Sequence, residues 1–215
     1  MSPYPLTIQD TELHLLPDKA LYWPAQQALL LADLHLGKAA HFRRHGLAVP
    51  EAVHDADLLR LRHLLDTWQP ATLLLLGDLF HSIHNTAWER FADFLQGYGG
   101  SALLVQGNHD ILAPGRYADA GIVRVQEPLL LGGLSLWHEV PPDWAGPAYA
   151  LGGHVHPGVR LRGAGRQQLR LPCFHFGAWR GLLPAFGGFT GLAEVPVQPG
   201  DIVVAVADGE LLRVQ

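Results

Sequence analysis

The chain has 215 residues, of which 48% are hydrophobic and 16% charged, with a formal net charge of −5 and a single cysteine. A chain of this size buries roughly 70% of the surface that it exposes when unfolded, so we expect one domain over residues 1–215. The acidic balance excludes a protein that coats nucleic acid through its overall charge. One cysteine excludes an internal disulfide, and the lack of a signal-peptide pattern or a membrane-length apolar run favours a cytoplasmic protein without a membrane partner.

Three short apolar segments predict buried strands in the first half of the chain, at residues 27–33, 71–78 and 101–108. Between the first two, a face at helical spacing that includes Val53, Asp57 and Leu61 predicts a helix. The segment TAWERFADFLQ predicts a second helix before the third strand. This β-α-β-α-β order indicates a largely parallel sheet with right-handed crossovers.

The second half of the chain has a different pattern. After about residue 120, short apolar segments alternate with frequent Gly and Pro, and the closing segment VVAVADGELLRV contains an Asp208-Gly209 turn. This pattern predicts antiparallel strand pairing. An α/β first half and a β-rich second half suggest two sheets that pack together and are covered by helices.

Side chains that can bind metals follow each of the three predicted strands. Because ligands bind at the carboxyl ends of strands in open α/β sheets, we expect these side chains to converge. The first half supplies Asp33, His35, Asp78, Asn108, His109 and Asp110, and the second half supplies His138, His154 and His156. Each motif alone is compatible with an ordinary turn, but burying so many ionisable groups unpaired would be very costly, and metal ions make the arrangement favourable. Oxygen and imidazole ligands without a thiolate suit Mn²⁺, Fe²⁺ or Zn²⁺.

The ordered series DLH, GD, GNHD, H and GHVH, which runs from Asp33 to His156, resembles the calcineurin-like metallophosphoesterase superfamily. The resemblance implies an α/β fold, a four-layer α-β-β-α sandwich of two mixed sheets. It also implies two divalent metal ions, Mn²⁺ above all, with Fe²⁺ or Zn²⁺ as alternatives. The implied ligands are Asp33, His35 and His156 for one ion, Asn108, His138 and His154 for the other, and Asp78 as the bridge between them.

The chemistry of such a centre predicts a phosphoester hydrolase. Two dications with only Asp33 and Asp78 as anionic ligands keep an excess positive charge, which draws in phosphate and lowers the pKa of a bridging water, so that hydroxide becomes the nucleophile. His109 is the candidate catalytic residue, as a general acid or as an electrostatic partner of the phosphate. Asp110 is expected to orient His109.

Three further stretches narrow the resemblance, namely ADLHLGKAAHFRRHGLAVP, GDLFHS and FHFGAWRGLLPAFGGFTG. They are similar to the bacterial ligase-associated DNA-damage-response endonuclease branch. That branch implies a Mn-dependent phosphodiesterase and endonuclease that prefers single-stranded DNA. It also implies a functional association in DNA repair with an ATP-dependent DNA ligase, a helicase and an exonuclease-like protein.

Several basic residues are candidates for contacts with DNA. Arg43 and Arg44 follow the first ligand pair and can hold backbone phosphates, with a solvated basic loop as the equal alternative. For the arginines of residues 160–170 an exposed hairpin is favoured over a DNA groove. For the aromatic residues around Arg180, core packing is favoured over stacking on bases.

Two other functions compete with the DNA endonuclease. A small-molecule phosphoesterase that acts on nucleotides or cyclic nucleotides fits the short, acidic chain. A catalytically inactive scaffold is the third hypothesis, and the sequence speaks against it because every expected metal ligand is present.

Overall fold

Two β-sheets form the centre of the protein in the computed structural model, which describes residues 2–38, 52–80 and 86–215. The first sheet has seven strands and the second has nine. The strands of the first sheet are β1 (Tyr4–Ile8), β2 (Thr11–Leu16), β3 (Ala20–Trp23), β4 (Ala28–Ala32), β5 (Thr72–Leu76), β6 (Ser101–Val105) and β7 (Ile122–Val125). The strands of the second sheet are β8 (Leu129–Leu131), β9 (Leu134–Leu136), β10 (Tyr149–Gly152), β11 (Pro157–Arg162), β12 (Gln168–Phe176), β13 (Arg180–Leu182), β14 (Ala193–Glu194), β15 (Ile202–Ala207) and β16 (Glu210–Arg213).

The first sheet keeps its strands in chain order, from β1 to β7. Strands β1 to β4 pair antiparallel, and β4 to β7 pair parallel, with Leu30 opposite Leu74 and Leu74 opposite Leu103. The three predicted strands of the first half are therefore confirmed as β4, β5 and β6. Their apolar side chains are buried on both faces, which explains why they appear in the sequence as continuous runs rather than alternating patterns.

The second sheet is mixed, with the order β14-β11-β12-β13-β10-β9-β8 and with β15 paired to β12 and β16. Antiparallel pairing is confirmed for β11 with β12 and for β15 with β16, whose turn has Asp208 at φ 46° and Gly209 at φ 77°. The prediction is wrong for β10, which pairs parallel to both β9 and β13. A short apolar run fits a strand of either direction, so the residues alone do not reveal this difference.

The helices pack on the outer face of the first sheet. They are α1 (Ala52–Trp68), α2 (Thr86–Gln96) and α3 (Pro114–Asp119), and each contributes to one apolar cluster with that face. A second cluster fills the space between the sheets and includes Leu30 and Leu74 from the first and Leu151 and Phe174 from the second. No helix in the described parts of the chain is long and apolar enough to cross a membrane.

The outer face of the second sheet is covered differently. A small cluster of Trp137, Val140 and Ala150, with Trp144 packed against it, lies there, and residues 137–144 belong to the loop between β9 and β10. The α/β class and the pair of mixed sheets are thus confirmed. Among the described residues, a loop rather than an α-helix forms this part of the fourth layer.

Candidate metal centre

The residues that the sequence singled out lie at the carboxyl ends of neighbouring parallel strands. Asp33 and His35 follow β4, Asp78 follows β5, and Asn108 and His109 follow β6. The second sheet adds His138 after β9, and His154 and His156 after β10. The loops are also joined directly, because the backbone N–H of His35 donates to the carbonyl of Asp78 at 2.9 Å.

One group of candidate ligands consists of Asp33, His35 and His156, whose ligand atoms all lie within 4.8 Å of one another. The Nε2 atoms of His35 and His156 are 3.2 Å apart, and Nε2 of His156 is 3.7 Å from Oδ1 of Asp33. Two imidazole nitrogens that bind one ion at about 2.0–2.1 Å lie about 3 Å apart. This group can therefore hold a metal ion.

The second group consists of Asp78, His138 and His154, again within 4.8 Å. Nε2 of His138 lies 3.0 Å from Nδ1 of His154, 3.4 Å from Oδ1 of Asp78 and 3.0 Å from Oδ1 of Asn108. The amide oxygen of Asn108 thus lies beside this group, and its role as a fourth ligand stays a prediction. Asp78 also faces the first group, with Oδ2 3.9 Å from Nε2 of His35, which is the arrangement expected of a bridging carboxylate.

Burial of the acidic oxygens tests whether these residues fit metal ions. Asp33 is fully buried, and its Oδ1 has no hydrogen-bond partner in the parts of the chain that the structure describes. Asp78 is also buried. Burial lowers the pKa of Lys38, while Asp33 and Asp78 act to raise it, so this ammonium lies close enough to feel both carboxylates. An unpartnered buried carboxylate oxygen is costly in water-free surroundings, and divalent cations would satisfy it.

A hydrogen bond and an ion-pair contact orient two of the second-sheet imidazoles, His138 and His154. Nδ1 of His138 lies 3.2 Å from the carbonyl oxygen of Leu76, which can only accept, so Nδ1 donates and the Nε2 lone pair faces the site. Nε2 of His154 lies 3.6 Å from a carboxylate oxygen of Glu139, which leaves Nδ1 toward the site. Glu127 in turn accepts from the backbone N–H of His138 at 2.8 Å. Sequence reasoning missed both glutamates; the position of Glu139 directly after a predicted ligand was the available signal.

Five of the seven candidate ligands share an unusual backbone conformation. Among the described residues, ten that are not glycine have a positive φ, and five of them are candidate ligands: Asp33, His35, Asp78, His154 and His156. Left-handed backbone is strained for such residues, and strain of this kind concentrates at functional sites. The surrounding fold therefore holds these side chains in an orientation that the local chain alone would not prefer.

Three glycines make room for the candidate ligands. A Cβ atom on Gly77, which has φ 73°, would collide with the His138 ring. A Cβ on Gly107 would collide with Asp78, and one on Gly153 would collide with Asp33. The glycines of the GD, GNHD and GGH segments thus allow neighbouring loops to approach closely enough to build one site.

His109 lies at the edge of the first group. Its backbone N–H donates to Oδ1 of Asp78 at 3.0 Å, and its half-buried ring is 6.0 Å from the His35 ring, centroid to centroid. The carboxylate of Asp110 accepts from the backbone N–H groups of Leu79 and Gly107, each at 2.9 Å, and burial raises its pKa to about 6. Asp110 therefore fixes the backbones of the loops after β5 and β6, and its orientation of His109 stays a prediction.

Two of the predicted DNA contacts, Arg43 and Arg44, lie outside the described residues, and their role stays a prediction. The sequence favoured an exposed hairpin over a DNA groove for the arginines of residues 160–170, and the structure agrees for Arg160 and Arg170. Arg160 and Arg170 lie opposite each other on the exposed β11–β12 hairpin, and both form ion pairs with Glu194.

The aromatic segment around Arg180 divides into two parts. Arg180 begins β13, whereas Leu182, at the other end of this strand, pairs with Gly152 beside the site. Arg180 and the exposed Trp179 therefore lie at the end of β13 away from the candidate ligands. Ala185 and Phe186, further along, are buried core residues.

A polar cleft of about 260 Å³ opens beside the second group. Its walls combine two candidate ligands with side-chain amides and carboxylates. The residues that line it include Gln106, Asn108, Gln126, Glu127, His138 and Glu139. The site is thus accessible from this side.

The fold and the two ligand groups define an α/β protein with a candidate centre for two metal ions. The chain is similar over its whole length to the nuclease MPE of Pseudomonas putida. The two share 34% sequence identity and superpose with a TM-score of 0.83, and the match covers 99% of this chain and 100% of that one. This likeness shows that the chain belongs to the family of the Pseudomonas putida nuclease.

A second solved structure is much less similar to the chain. The protein of unknown function AQ665 from Aquifex aeolicus is 17% identical, with a TM-score of 0.42, over 60% of this chain and 78% of that one. So distant a likeness carries no information about fold or function. No family model and no curated protein matches the chain.

Proposed function

We propose that this protein is a binuclear metal-dependent phosphodiesterase of the calcineurin-like metallophosphoesterase superfamily, and that it acts as an endonuclease on single-stranded DNA. The observation that carries the proposal is the convergence of two ligand groups with Asp78 facing both. The family relation to a nuclease supports a nucleic acid as the substrate.

The residues of the site can bind two divalent ions in an arrangement that suits phosphodiester hydrolysis. Divalent ions, when bound, acidify water and neutralise the charge that develops on a phosphoryl group. The proposed ligands are Asp33, His35 and His156 for one ion and Asn108, His138 and His154 for the other, with Asp78 between them. Because only two of these seven side chains are anionic, the occupied site keeps a positive charge that attracts a phosphodiester. We propose Mn²⁺ as the native metal on the resemblance to the metallophosphoesterase superfamily, and the oxygen and imidazole ligands, without a thiolate, are compatible with it.

Two side chains at the edge of the site act on the substrate rather than on the metals. His109, held through its backbone bond to Asp78, is the proposed general acid that gives a proton to the leaving oxygen. The ammonium of Lys38 lies close to Asp33 and Asp78 and adds positive charge where a phosphate oxygen would lie.

Hydrolysis of nucleotides is the second candidate function. The polar cleft of about 260 Å³ beside the second ligand group has room for a single nucleoside. Its amide side chains, Gln106 and Gln126, can form hydrogen bonds with a base. A nucleotide would present its phosphate to the same metal centre.

A substrate panel in Mn²⁺ separates these functions. It compares single-stranded DNA, duplex DNA, RNA, a chromogenic phosphodiester, a chromogenic phosphomonoester and nucleotides, with each rate measured for the parental protein and for an inactive-site control, Asp78→Ala. We expect internal cleavage of single-stranded DNA and hydrolysis of the diester, both abolished in the control. Nucleotide hydrolysis without any cleavage of DNA would favour the second candidate, and no hydrolysis of any substrate by metal-loaded protein would favour an inactive scaffold.

We further propose a role in bacterial DNA repair, together with an ATP-dependent DNA ligase, a helicase and an exonuclease-like protein. The proposal rests on the sequence stretches that resemble the ligase-associated branch. A strain that lacks this protein should be more sensitive to DNA damage than its parent, and the Asp78→Ala variant should fail to restore resistance. Equal sensitivity of the two strains would contradict the role.

A further inference from the structure

Residues 183–188, which we call the strap, connect the second sheet to the first beside the metal centre. The N–H of Leu183 donates to the carbonyl of Gly152, at the end of β10, at 2.8 Å. The N–H groups of Phe186 and Gly187 donate to the carbonyls of Ala32 and Asp33 at 2.8 and 3.1 Å. The strap thus bonds both strand ends that carry the first ligand group, and one of its bonds is to the backbone of Asp33 itself.

A buried carboxylate on α1 holds the far side of the strap. Both oxygens of Asp57 accept from the N–H of Gly188, at 3.1 and 3.0 Å. Arg60 donates to Oδ1 of Asp57 at 2.9 Å and to the carbonyl of Phe186, and its guanidinium lies 4.1 Å from the centroid of the Phe186 ring. Asp57 is only 5% exposed, although it lies on a helix that packs against the core.

A lysine from the turn between β2 and β3 completes the contact. Nζ of Lys19 donates to the carbonyl of Gly187 at 3.1 Å. Burial, with a smaller effect from Arg60, lowers the pKa of Lys19 to about 8. Three ionisable side chains from two distant parts of the chain therefore bond three consecutive residues of the strap, Phe186, Gly187 and Gly188.

The cost of this arrangement suggests more than a contribution to stability. Buried ion pairs are weak sources of stability, since well-packed apolar residues often serve as well or better. Their advantage is that hydrogen bonds in fixed directions hold a backbone in one place. The backbone held here is one hydrogen bond away from Asp33, which has a strained φ of 53°. A side chain on Gly187 would collide with the backbone of Leu34, so the strap and the ligand loop are in close contact.

We propose that Asp57, together with Arg60 and Lys19, is a positioning residue of the metal centre, and that it acts through the strap on Asp33. This inference rests on the proposed function only in that metal ions bind at Asp33. Loss of Asp57 releases Gly188, loosens the bond from Gly187 to the Asp33 carbonyl and weakens the first ligand group. The second group, centred on His138, is affected less.

The test measures Mn²⁺ binding in the parental protein, Asp57→Asn and Asp57→Ala, with Asp66→Asn on the exposed side of the same helix as the matched control. Calorimetric titration gives the affinities, and electron paramagnetic resonance distinguishes a coupled pair of Mn²⁺ ions from an isolated one. We expect Asp57→Asn to weaken the binding of one of the two ions about 10-fold and Asp57→Ala to weaken it more, while the control stays within about 2-fold of the parent. At two equivalents of Mn²⁺, the signal of isolated Mn²⁺ should grow in the Asp57 variants at the expense of the coupled signal.

Activity provides a second readout that a purely structural role would not reproduce. The Mn²⁺ concentration for half-maximal phosphodiesterase activity should rise about 10-fold in Asp57→Asn, while the rate at saturating Mn²⁺ recovers to within about 3-fold of the parent. If Asp57→Ala does not fold, the Mn²⁺ affinity of Asp57→Asn tests the inference. If neither Asp57 variant folds, the Mn²⁺ affinity of Lys19→Met tests it in the same way. Folded variants that bind both ions with parental affinity would overturn the inference. A parental protein that binds no Mn²⁺ would instead contradict the proposed function.

Discussion

The two sheets contribute different chemistry to one site. The first sheet supplies both carboxylates, the amide of Asn108 and a single imidazole among the candidate ligands, whereas the second sheet supplies three imidazoles and no carboxylate. Yet both follow the same rule of construction, because each set lies at the carboxyl ends of parallel neighbours, β4, β5 and β6 in one sheet and β9 and β10 in the other. Strand direction, rather than the overall type of the sheet, therefore determines where the ligands meet.

The two halves also differ in how deeply they bury their candidate ligands. The anionic ligands lie on the sheet that the helices cover, where burial is nearly complete. The imidazoles His154 and His156 lie in a more exposed loop. Removal of a buried carboxylate of the first half should therefore lower metal binding and activity more than a displacement of a histidine of the second half.

The largest effect is expected for Asp78→Ala, which removes the carboxylate proposed to bridge the two ions. The loss of a bridging carboxylate deprives the site of several kcal/mol of charge stabilisation, so phosphodiesterase turnover in Mn²⁺ should fall by at least about 1000-fold. The measurement is steady-state hydrolysis of a chromogenic phosphodiester, with metal content determined in parallel. The control is Asp66→Ala, which changes an exposed aspartate on α1 and should keep parental turnover. Parental turnover in Asp78→Ala would show that Asp78 is not part of the active site.

His109→Ala should lower turnover by about 100-fold or more while both metal ions stay bound, because proton donation by a positioned side chain contributes about that much. The measurements are turnover with single-stranded DNA and the Mn²⁺ content of the purified variant. A variant that cleaves at the parental rate with a full metal complement would show that His109 has no catalytic role. Loss of metal together with activity would instead make His109 part of the metal-binding site.

Gly77→Ala tests the contact between the halves, because its methyl group would collide with the His138 ring across the site. We expect Mn²⁺ affinity and activity to fall about 10- to 100-fold. Gly121→Ala is the matched control: Gly121 has a similar φ of 75°, but its Cβ would meet nothing within 4 Å. The control should lose about 1–2 kcal/mol of stability to backbone strain and keep its activity. Equal losses of activity in the two variants would mean that strain, not the displacement of His138, is responsible.

The smallest effect concerns Lys19, which bonds the strap that joins the halves. The pKa of Lys19 is lowered from 10.5 to about 8, chiefly by burial. Between pH 8 and pH 10.5 the unfolded chain keeps a proton on Lys19 that the folded protein has lost, so the contribution of Lys19 to the free energy of unfolding of the metal-free protein should rise with pH. Allowing for solvent near this partly exposed ammonium, we expect a gain of about 1–2 kcal/mol. Urea unfolding at pH 7.5 and pH 10, compared with Lys19→Met, measures the difference, which should vanish if Lys19 titrates normally.

The sequence predicts the first half of the site well, for a physical reason. The segments that end at Asp33, Asp78 and Asn108 are apolar runs separated by helical patterns, which require parallel neighbours and so bring the polar residues to one edge. The second half is harder, because the parallel pairing of β9 and β10 leaves no mark in three or four apolar residues. His138, His154 and His156 follow short apolar segments, but their assignment to the two ions comes only from the resemblance to a known family.

Contacts across the fold were the least predictable. Asp57 lies on the apolar face of α1, and the sequence shows it as a charged residue at helical spacing between the apolar Val53 and Leu61. Its hydrogen-bond partner Gly188 could not be predicted in this way, because it is 131 residues away in the chain. Glu127 accepts from the backbone N–H of His138, and Glu139 lies beside the His154 imidazole; both contacts depend on how the loops meet. Contacts between residues so far apart in the chain follow from the packing of the whole fold, and the local sequence pattern does not predict them.

Crystals of the parental protein soaked in Mn²⁺ and measured at a wavelength where Mn scatters anomalously give the most direct test of the central claim. Two anomalous peaks about 3.5–4 Å apart are expected, one beside Asp33, His35 and His156 and the other beside Asn108, His138 and His154, with Asp78 touching both. No peak, or peaks only away from these side chains, would contradict the claim of a two-metal centre.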